Sequence, residues 1–571
     1  MLLAAAAAGR GGLRFVDRRE EARFLGWAEL LERARRVAGG LAAEGIRPGD
    51  RVALVFPTGE EFFDACFGAL LAGAVPVPLY PPVRLGRLGE YHPRTGAMLA
   101  AAGARMLLTD RRVGSLLGES LEHAGAPVAF RTLDRLPAGP TPEPATAPDD
   151  LALVQFSSGT TVDPKPVALS HRAILAQVEA LNRHWRDVPG VSGVSWLPLY
   201  HDMGLIGFIF PAAEHRAELT LVPPELFVAR PALWLRTLSR YRAEVSAAPN
   251  FAYALCVDRI RDEEMEGVDL SSWRVALNGA EAVAPSVLRR FVERFARWGF
   301  RPEALSPVYG LSEAALAVTF SDLERPFVTA RFDREGLARE GVAVERDEGV
   351  ELVSVGRPLP RFGLEVRDQA GAALPEGRVG RIWIRGPSLM EGYLGRPEET
   401  ARVLVDGWLD SGDLGFLRGG ELFLTGRAKD LLILRGRNVR PEDVEHPVDG
   451  VPGVRTGCTA AVSWLPEGAD GERLVLFVET ARTFDGDGKA LARACRQRVL
   501  EAGAPRPDEV VALPRGALPR TSSGKIRRGE ALRRWLDGGL EAPERVTPWR
   551  MLGALARSRL ALARHRRRSG E

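Results

Sequence analysis

Short apolar runs alternate with longer helical patterns through most of this chain, and this alternation restricts the fold more than any other feature of the sequence. Arg51–Phe56, Leu151–Gln155 and Trp273–Leu277 are typical of buried strands. Trp27–Leu41 and Ile174–Trp185 carry apolar residues three and four positions apart, as amphipathic helices do. Because alternating strands and helices form parallel sheets covered by helices, the sequence predicts an α/β protein. Its large N-terminal domain should contain helix-covered, mainly parallel sheets.

The pattern changes near Arg427, after which the chain resembles a second, smaller α+β unit. The predicted strands there are Val454–Val462, Arg473–Glu479 and Glu509–Leu513, with a helix over Lys489–Leu500. We therefore expect a large domain over residues 1–427, a hinge at 428–430 and a small domain over 431–540. Residues 541–571 form an Arg-rich, weakly amphipathic tail. We expect this tail to be solvated, with contact to a membrane or a partner as the alternative.

Composition excludes several classes of protein. No run of eighteen apolar residues is present, so we expect no membrane-spanning helix. A net charge of +3 gives no support to nucleic-acid binding. The four cysteines are scattered without a CxxC pair, which argues against a disulfide framework or a zinc site and favours a reducing, cytoplasmic location.

The segment Phe156–His171 reads Phe-Ser-Ser-Gly-Thr-Thr-Val-Asp-Pro-Lys-Pro-Val-Ala-Leu-Ser-His and follows a predicted strand. Small hydroxyl residues around Gly159 would let backbone N–H groups close around a polyphosphate, and Lys165 would add a positive charge. The GxxxxGK[ST] pattern is absent. Taken alone, the segment is equally consistent with a simple turn between strands.

Four further motifs follow in order: Asn278–Glu281, Ser306–Glu313, Gly407–Asp413 with Thr425–Asp430, and Leu518–Arg527. The second places an aromatic ring, a hydroxyl and a carboxylate within five residues, which suits base stacking, phosphate contact and binding of a hard cation. Of 77 basic residues only four are lysines, and Lys165, Lys429 and Lys525 lie in these motifs. A coding bias toward arginine accounts for the scarcity of lysine, and against that background a lysine marks a candidate position for a compact ammonium group rather than a guanidinium.

In this order, these motifs resemble the adenylate-forming superfamily of acyl-CoA synthetases, luciferases and peptide-synthetase adenylation domains, roughly over residues 20–540. The resemblance implies an ATP-dependent ligase that uses Mg²⁺, with a small C-terminal domain that moves as a lid over the large one. The loop residues Ser157, Ser158, Gly159, Thr160, Thr161 and Lys165 would hold the β- and γ-phosphates. Val162 and Pro166 replace glycines that are usual in this loop, which affects how the backbone can wrap the phosphates.

The same resemblance assigns the rest of the nucleotide site. Gly279, Ala280 and Glu281 would line the adenine, and Tyr309, beside Gly310, would stack on it. Ser312 would lie near the phosphate, Glu313 would bind Mg²⁺, and Asp413 would accept both ribose hydroxyls with Arg427 beside it. Lys429 would be the hinge residue, and Lys525 would bridge the acyl carboxylate and the α-phosphate as the catalytic residue.

Within the superfamily, three stretches resemble fatty acyl-AMP ligases: Val75–Pro82, Trp196–Leu205 and Ala248–Tyr253. Local packing and turn chemistry are the alternative explanation of each. By this resemblance His201, Asp202 and Phe251 would line the acyl and thiol channels. An insertion at about residues 322–350 would pack against the lid and hinder the rotation that CoA transfer needs, unless it is a solvent-exposed loop without consequence.

The sequence therefore predicts an enzyme that converts a medium- or long-chain fatty acid and ATP to acyl-AMP and pyrophosphate. The expected acceptor is the phosphopantetheine thiol of a holo acyl carrier protein in a polyketide, peptide or lipid pathway. An acyl-CoA synthetase is the alternative, and a catalytically silent binding protein of the same fold is a further one. A peptide-synthetase module fits less well, because no carrier domain follows the small domain.

Overall fold

The computed structural model describes residues 1–83, 85–143, 146–157, 164–184, 192–434, 437–466, 472–482, 484, 486–521, 524–544 and 546–569. Its largest element is a nine-stranded sheet. The strands lie in the order Arg357–Pro358, Ala317–Phe320, Leu305–Gly310, Val275–Asn278, Val245–Ala248, Gly193–Ser195, Glu218–Leu221, Gly12–Val16 and Ala22–Gly26. From Leu305–Gly310 to Gly12–Val16 the neighbours are parallel, and the strands outside them are antiparallel.

Four further sheets complete the N-terminal part. A four-stranded sheet, parallel throughout, has the order Val75–Leu79, Arg51–Val55, Met106–Thr109 and Ala129–Thr132. A three-stranded antiparallel sheet consists of Gly392–Tyr393, Pro166–Ser170 and Leu151–Phe156. A five-stranded antiparallel sheet contains Gly363–Arg367, Gly380–Arg385, Trp408–Arg418, Leu404–Val405 and Glu421–Arg427. Thr329–Phe332 and Val350–Val353 form an antiparallel pair.

Helices pack on these sheets. The α-helices of this part are Leu2–Ala7, Trp27–Ala43, Glu60–Leu71, Leu88–Ala101, Arg111–Gly114, Gly118–His123, His171–His184, Asp202–Gly204, Phe210–His215, Pro224–Ala229, Ala232–Arg240, Asn250–Arg259, Pro285–Phe295 and Pro397–Val403. Two segments, Leu205–Ile209 and Gly336–Glu340, are single π-helical turns. One continuous hydrophobic core joins the nine-stranded sheet to its helices and includes the fully buried Trp27, Trp234 and Trp273.

The C-terminal domain is smaller and has its own core. A hairpin, Leu432–Leu434 and Arg437–Val439, leads to the sheet Val454–Trp464, Arg473–Thr480 and Glu509–Leu513. Its helices are Pro441–Glu445, Gly488–Glu501 and Arg528–Leu536. Separate apolar clusters lie on the two faces of this sheet.

The alternation predicted from the sequence is confirmed, and the fold is mixed α/β with a large parallel-sheet domain and a smaller C-terminal one. Arg51–Val55, Trp27–Ala43 and Glu509–Leu513 lie where strand or helix was expected. Leu151–Phe156 is also a strand, but its partner Pro166–Ser170 runs antiparallel to it. Chain direction between two strands depends on the loop that joins them, which an apolar run does not specify.

The expectation of a solvated tail is wrong, because Pro548–Ser569 is a helix that packs on the large domain. Ser558 Oγ accepts a hydrogen bond of 2.9 Å from the backbone N–H of Gly118. His565 Nε2 lies 2.7 Å from the carbonyl oxygen of Val128. The small residues Ala554, Ser558 and Ala561 are buried, and their size lets the helix approach the helix Gly118–His123 closely.

Among the described residues, no helix has the combined length and hydropathy needed to cross a bilayer.

Candidate active site

A cavity of about 770 Å³ lies between the large domain and the small one. Its large-domain wall begins where three neighbouring parallel strands end, at Ala248, Asn278 and Gly310. In open parallel sheets, ligands bind at the carboxyl ends of the strands. The loops after these strands carry the Ala248–Tyr253, Asn278–Glu281 and Ser306–Glu313 motifs, so sheet topology brings together segments that are distant in sequence.

Asp413 is buried in this wall between Tyr309 and Arg427. The Tyr309 hydroxyl donates to Asp413 Oδ2 at 2.8 Å, and Arg427 Nε lies 2.9 Å from Oδ1. Asp413 and Arg427 face each other because they are register partners in the hairpin of Trp408–Arg418 and Glu421–Arg427. Burial and the Asp413 carboxylate raise the pKa of the Tyr309 phenol, and Asp413 raises the pKa of Arg427. Each carboxylate oxygen keeps a second lone pair that can accept a ligand hydroxyl.

Asp202 is the second buried carboxylate of the site. The Ser312 hydroxyl donates to its Oδ2, and His201 Nδ1 lies 2.7 Å from its Oδ1. Burial alone would raise the pKa of Asp202, but His201, Ser312 and the charge of Lys525 lower it to about 2. Because its proton is donated to Asp202, the Ser312 oxygen presents its lone pairs to other groups. His201 thus lines the cavity as the partner of a carboxylate.

Glu313 and Lys165 meet around one tyrosine. The Tyr393 hydroxyl donates to Glu313 Oε1 at 2.9 Å, and the Lys165 ammonium lies 4.5 Å from the centre of the same ring. Lys165 Nζ also lies 2.9 Å from Glu399 Oε2. Sequence reasoning missed Tyr393 and Glu399, which lie more than 200 residues after Lys165. Pairing of Gly392–Tyr393 with Pro166–Ser170 brings them there.

The structure places only the ends of the predicted phosphate loop. Ser157 and Lys165 line the cavity, and the Ser157 N–H donates to the Lys165 carbonyl at 2.9 Å. Ser158, Gly159, Thr160, Thr161 and Val162 lie outside the described residues. Pro166 is the first residue of its strand, a position that suits an imide without an N–H, and its carbonyl accepts from the Leu394 N–H at 2.8 Å.

The Asn278–Glu281 motif occupies the wall in a different way from that expected. Glu281 Oε1 accepts the backbone N–H of Phe251 at 2.6 Å, at the start of the helix Asn250–Arg259. Burial raises the pKa of Glu281. Ala280 and Glu281 line the cavity, whereas Gly279 lies behind it, where a Cβ would come within 2.8 Å of Val308. Gly310 similarly leaves no room for a Cβ, which would lie 1.8 Å from the Leu316 carbonyl oxygen.

Lys525 reaches the cavity from the small domain on the loop before the helix Arg528–Leu536. The loop is tight: the Thr521 N–H donates to the Lys525 carbonyl at 2.8 Å, and the Lys525 N–H donates to Thr521 Oγ1 at 3.0 Å. Burial and the charge of Arg427 lower the pKa of the Lys525 ammonium, against the opposing effect of Asp202, Glu281 and Asp413. The structure thus brings this lysine to the same cavity as Asp413 and Tyr309. Lys429, which is exposed, lines it as well.

One part of the cavity is apolar. Its lining there includes Met203, Phe208, Ala247, Phe251, Ala254, Leu277, Leu316 and Phe320. The ring of Phe251 packs edge-on against Trp196, with 6.1 Å between ring centroids. The cavity therefore combines buried charges at one end with a surface suited to an alkyl chain.

Comparison with known proteins agrees with this geometry. Residues 3–394 match the family model described as AMP-binding enzyme. The chain is 37% identical over 543 residues to a putative acyl-CoA synthetase of Caulobacter vibrioides, covering 93% of this chain and 94% of that protein. It is 34% identical over 547 residues to the medium-chain-fatty-acid–acyl-carrier-protein ligase JamA of Moorena producens, covering 91% of each. A solved structure from a study of fatty acyl-adenylate ligases of E. coli and L. pneumophila has a TM-score of 0.88 and 34% identity, covering 94% of this chain and 98% of that one.

Proposed function

The chain belongs to the AMP-binding enzyme family, and we propose that it is an ATP-dependent fatty acyl-AMP ligase. Its reaction joins a medium- or long-chain fatty acid to AMP and releases pyrophosphate. The observation that carries this proposal is the meeting of Lys525, Asp413 and Tyr309 around one cavity that also has an apolar part. A charged end for a nucleotide and a carboxylate, next to an apolar part for an alkyl chain, is what this reaction requires.

The nucleotide would bind at the buried carboxylate Asp413, whose free lone pairs can accept the two ribose hydroxyls. Tyr309 and Arg427 hold that carboxylate in place. Ser157 and Lys165 would contact the outer phosphates. Lys165 would exchange its ion pair with Glu399 for the phosphate, which is the stronger anion.

The chemical step needs no general base, because a fatty carboxylate is ionised at neutral pH. One carboxylate oxygen attacks the α-phosphorus, a new O–P bond forms, and the bond from that phosphorus to the bridging oxygen breaks with its electrons on pyrophosphate. The enzyme must bring two anions together and stabilise the charge that gathers on the α-phosphoryl oxygens. Lys525 does this with an ammonium that is half-buried in the cavity wall and whose pKa is lowered by desolvation.

Mg²⁺ would be held by Glu313 together with oxygens of the substrate phosphates. A single protein carboxylate plus phosphates is a common set of ligands for this ion, and the Ser312 oxygen presents lone pairs next to it. When bound, the ion would neutralise phosphate charge. The Tyr393 hydrogen bond keeps Glu313 oriented in the cavity wall.

The insertion at about residues 322–350 contacts the small domain. Phe332 anchors the insertion on Phe416 and Phe423, with ring centroids 4.9 and 5.5 Å away. Beyond this anchor, Arg334 donates to the Ala502 carbonyl at 3.1 Å and lies 3.6 Å from Asp443. These contacts support restraint of the small domain in the arrangement that delivers Lys525.

A restrained small domain favours an acceptor whose thiol is carried to the acyl-AMP by a flexible group. We propose that this acceptor is a holo acyl carrier protein with its phosphopantetheine thiol. JamA, similar over 91% of this chain, is named as a ligase for an acyl carrier protein. We further propose that residues 1–427 and 431–540 move relative to each other, with residues 428–430, including Lys429, as the hinge. We also propose a cytoplasmic location, which suits the four free cysteines.

Formation of acyl-CoA is the second candidate, because the Caulobacter relative is named a putative acyl-CoA synthetase. A panel of fatty acids with ATP, scored for acyl-AMP, acyl-CoA and acyl-carrier product, distinguishes the two. We expect acyl-AMP with ATP alone and transfer to the holo carrier but little to CoA. Efficient acyl-CoA formation would reverse the assignment of the acceptor. If no fatty acid in the panel causes release of pyrophosphate, the protein would be assigned as a catalytically silent binding protein.

A further inference from the structure

The C-terminal helix Pro548–Ser569 contacts the large domain with its small residues. Ala554, Ser558, Ala561 and His565 face inward and are buried. They follow one another at spacings of three and four, so they form one face of the helix. Two arginines beside this face, Arg557 and Arg564, lie 3.2 Å from Glu119 and Glu122 respectively. Docking is thus explained by this inner face and its flanking ion pairs.

Three larger apolar residues lie on the opposite side, exposed to solvent, whereas Leu562 packs against the large domain. Trp549, Leu552 and Leu560 are 82%, 58% and 61% exposed. At 3.6 residues per turn they form one stripe with the exposed Ala556 and Ala563. Packing on the large domain does not account for this stripe, since it faces away from that domain. We call it the outer stripe.

Arginines border the outer stripe on both sides. Arg559 and Arg566 lie along one edge, and Arg557 and Arg564, which are paired with Glu119 and Glu122, lie along the other. Residues 546–569 include seven arginines and no acidic residue. A helix with a Trp/Leu stripe between rows of arginine is suited to lie in the interface of a bilayer, with the stripe in the acyl region and the guanidinium groups at the headgroups.

We propose that the outer stripe binds the surface of a membrane rich in anionic lipid, while the inner face keeps the helix on the enzyme. Charge complementarity selects this occupant, since each arginine near an anionic surface adds to binding. The described residues that line the active-site cavity include none of this helix. A carrier protein whose thiol must enter that cavity is therefore a poorer occupant than a lipid surface, which can be contacted at any distance from the site.

The test is flotation of the full-length protein with vesicles of phosphatidylcholine alone and with 30% phosphatidylserine added. We expect binding to the anionic vesicles and at least about tenfold weaker binding to the neutral ones. Replacing Arg559, Arg566 and Arg567 by Gln should lower the partition coefficient about hundredfold, at roughly fivefold per arginine. The matched control replaces Arg242, Arg402 and Arg493, which are 69–73% exposed elsewhere, and should change little.

The apolar stripe is tested separately. Leu552→Ser with Leu560→Ser should abolish most of the binding, whereas Leu465→Ser with Leu500→Ser, at exposed sites on the small domain, should not. Brominated lipid should quench the tryptophan fluorescence of the wild type more than that of Trp549→Phe. The difference should equal the contribution of the Trp549 indole. All variants should keep the wild-type melting temperature and rate of acyl-AMP formation, because the changed residues lie outside the cavity lining and are exposed.

Several results would overturn the proposal. Equal binding to neutral and anionic vesicles, or no binding to either, would remove its electrostatic basis. A dimer of the wild type that the leucine variant dissociates would identify a second copy as the occupant. Loss of transfer to a holo carrier in the arginine variant, without vesicle binding by the wild type, would identify the carrier instead.

Discussion

Replacing Lys525 by Ala tests the central chemical assignment. The half-buried lysine lines the cavity, with Asp202, Glu281 and Asp413 as its nearby acids. An oriented donor in such a cavity contributes about 10²–10³-fold to a rate, or about 2.7–4 kcal/mol. We expect Lys525→Ala to lower kcat for acyl-AMP formation by that factor, with a smaller change in binding of the fatty acid. The assay is pyrophosphate release with saturating ATP and acid.

The chain offers a matched control in Lys489. Lys489 is exposed in the first turn of the helix Gly488–Glu501 and lies outside the cavity lining. Lys489→Ala should therefore retain the wild-type rate. A Lys525→Ala enzyme within about threefold of wild type would refute the reasoning, since loss of one oriented donor costs at least about 10²-fold. Equal losses in both variants would indicate a general effect of lost positive charge.

The pH profile gives a second readout of the same residue. The ammonium form is the active one, and burial lowers the pKa of Lys525 below its ordinary value of 10.5. The rate should therefore fall, as pH rises, earlier than for an exposed lysine. Lys525→Arg should be slower at neutral pH, because a guanidinium fork replaces a compact ammonium, but its rate should show no such alkaline decline. An identical alkaline limb in wild type and Lys525→Arg would assign the decline to another group.

Three further predictions concern the surrounding residues. Tyr309→Phe removes the 2.8 Å hydrogen bond to Asp413 and should raise the KM for ATP about tenfold or more, because a hydrogen bond to a charged group contributes about 1.5–3 kcal/mol; an unchanged KM would argue against Asp413 as the ribose acceptor. Asp202 has a pKa of about 2 against an ordinary 3.8, so it stabilises the fold fully above pH 4, by about 2 kcal/mol, and loses this as pH falls through 2. The gap in melting temperature between wild type and Asp202→Asn should thus shrink as pH falls below 4; a constant gap from pH 5 down to pH 3 would contradict the pKa. Arg334→Ala removes the contact with Ala502 and should raise acyl-CoA output about fivefold if the insertion restrains the small domain, and no rise would count against that restraint.

Local patterns predicted the elements well where short-range periodicity decides them. Arg51–Val55 and Glu509–Leu513 are short apolar runs between turn signals, and both are strands. Trp27–Ala43 repeats apolar residues on one face and is a helix. Period and propensity act over a few residues, so these features can be recognised without knowledge of the fold.

Part of the site was equally accessible from sequence, because its chemistry is carried by motifs whose members are close in the chain. Tyr309, Ser312 and Glu313 are such a group, and all of them line the cavity. Lys525 stood out as one of four lysines among 77 basic residues. That such residues converge on one cavity follows from the parallel strands that carry three of the motifs.

The sequence by itself determined which residue types the chain could offer and which segments would be strand or helix, since those depend on neighbouring side chains. Only the tertiary structure decided their partners. It directed the Ser312 hydroxyl to donate a hydrogen bond to Asp202 and turned Glu281 to the N-terminus of a helix. It also placed Tyr393 between Glu313 and Lys165. It also turned an Arg-rich tail into a docked helix with Trp549, Leu552 and Leu560 facing outward. Each outcome depends on the approach of segments far apart in the chain, and the geometry of such an approach is set by the packing of the whole core rather than by any local pattern.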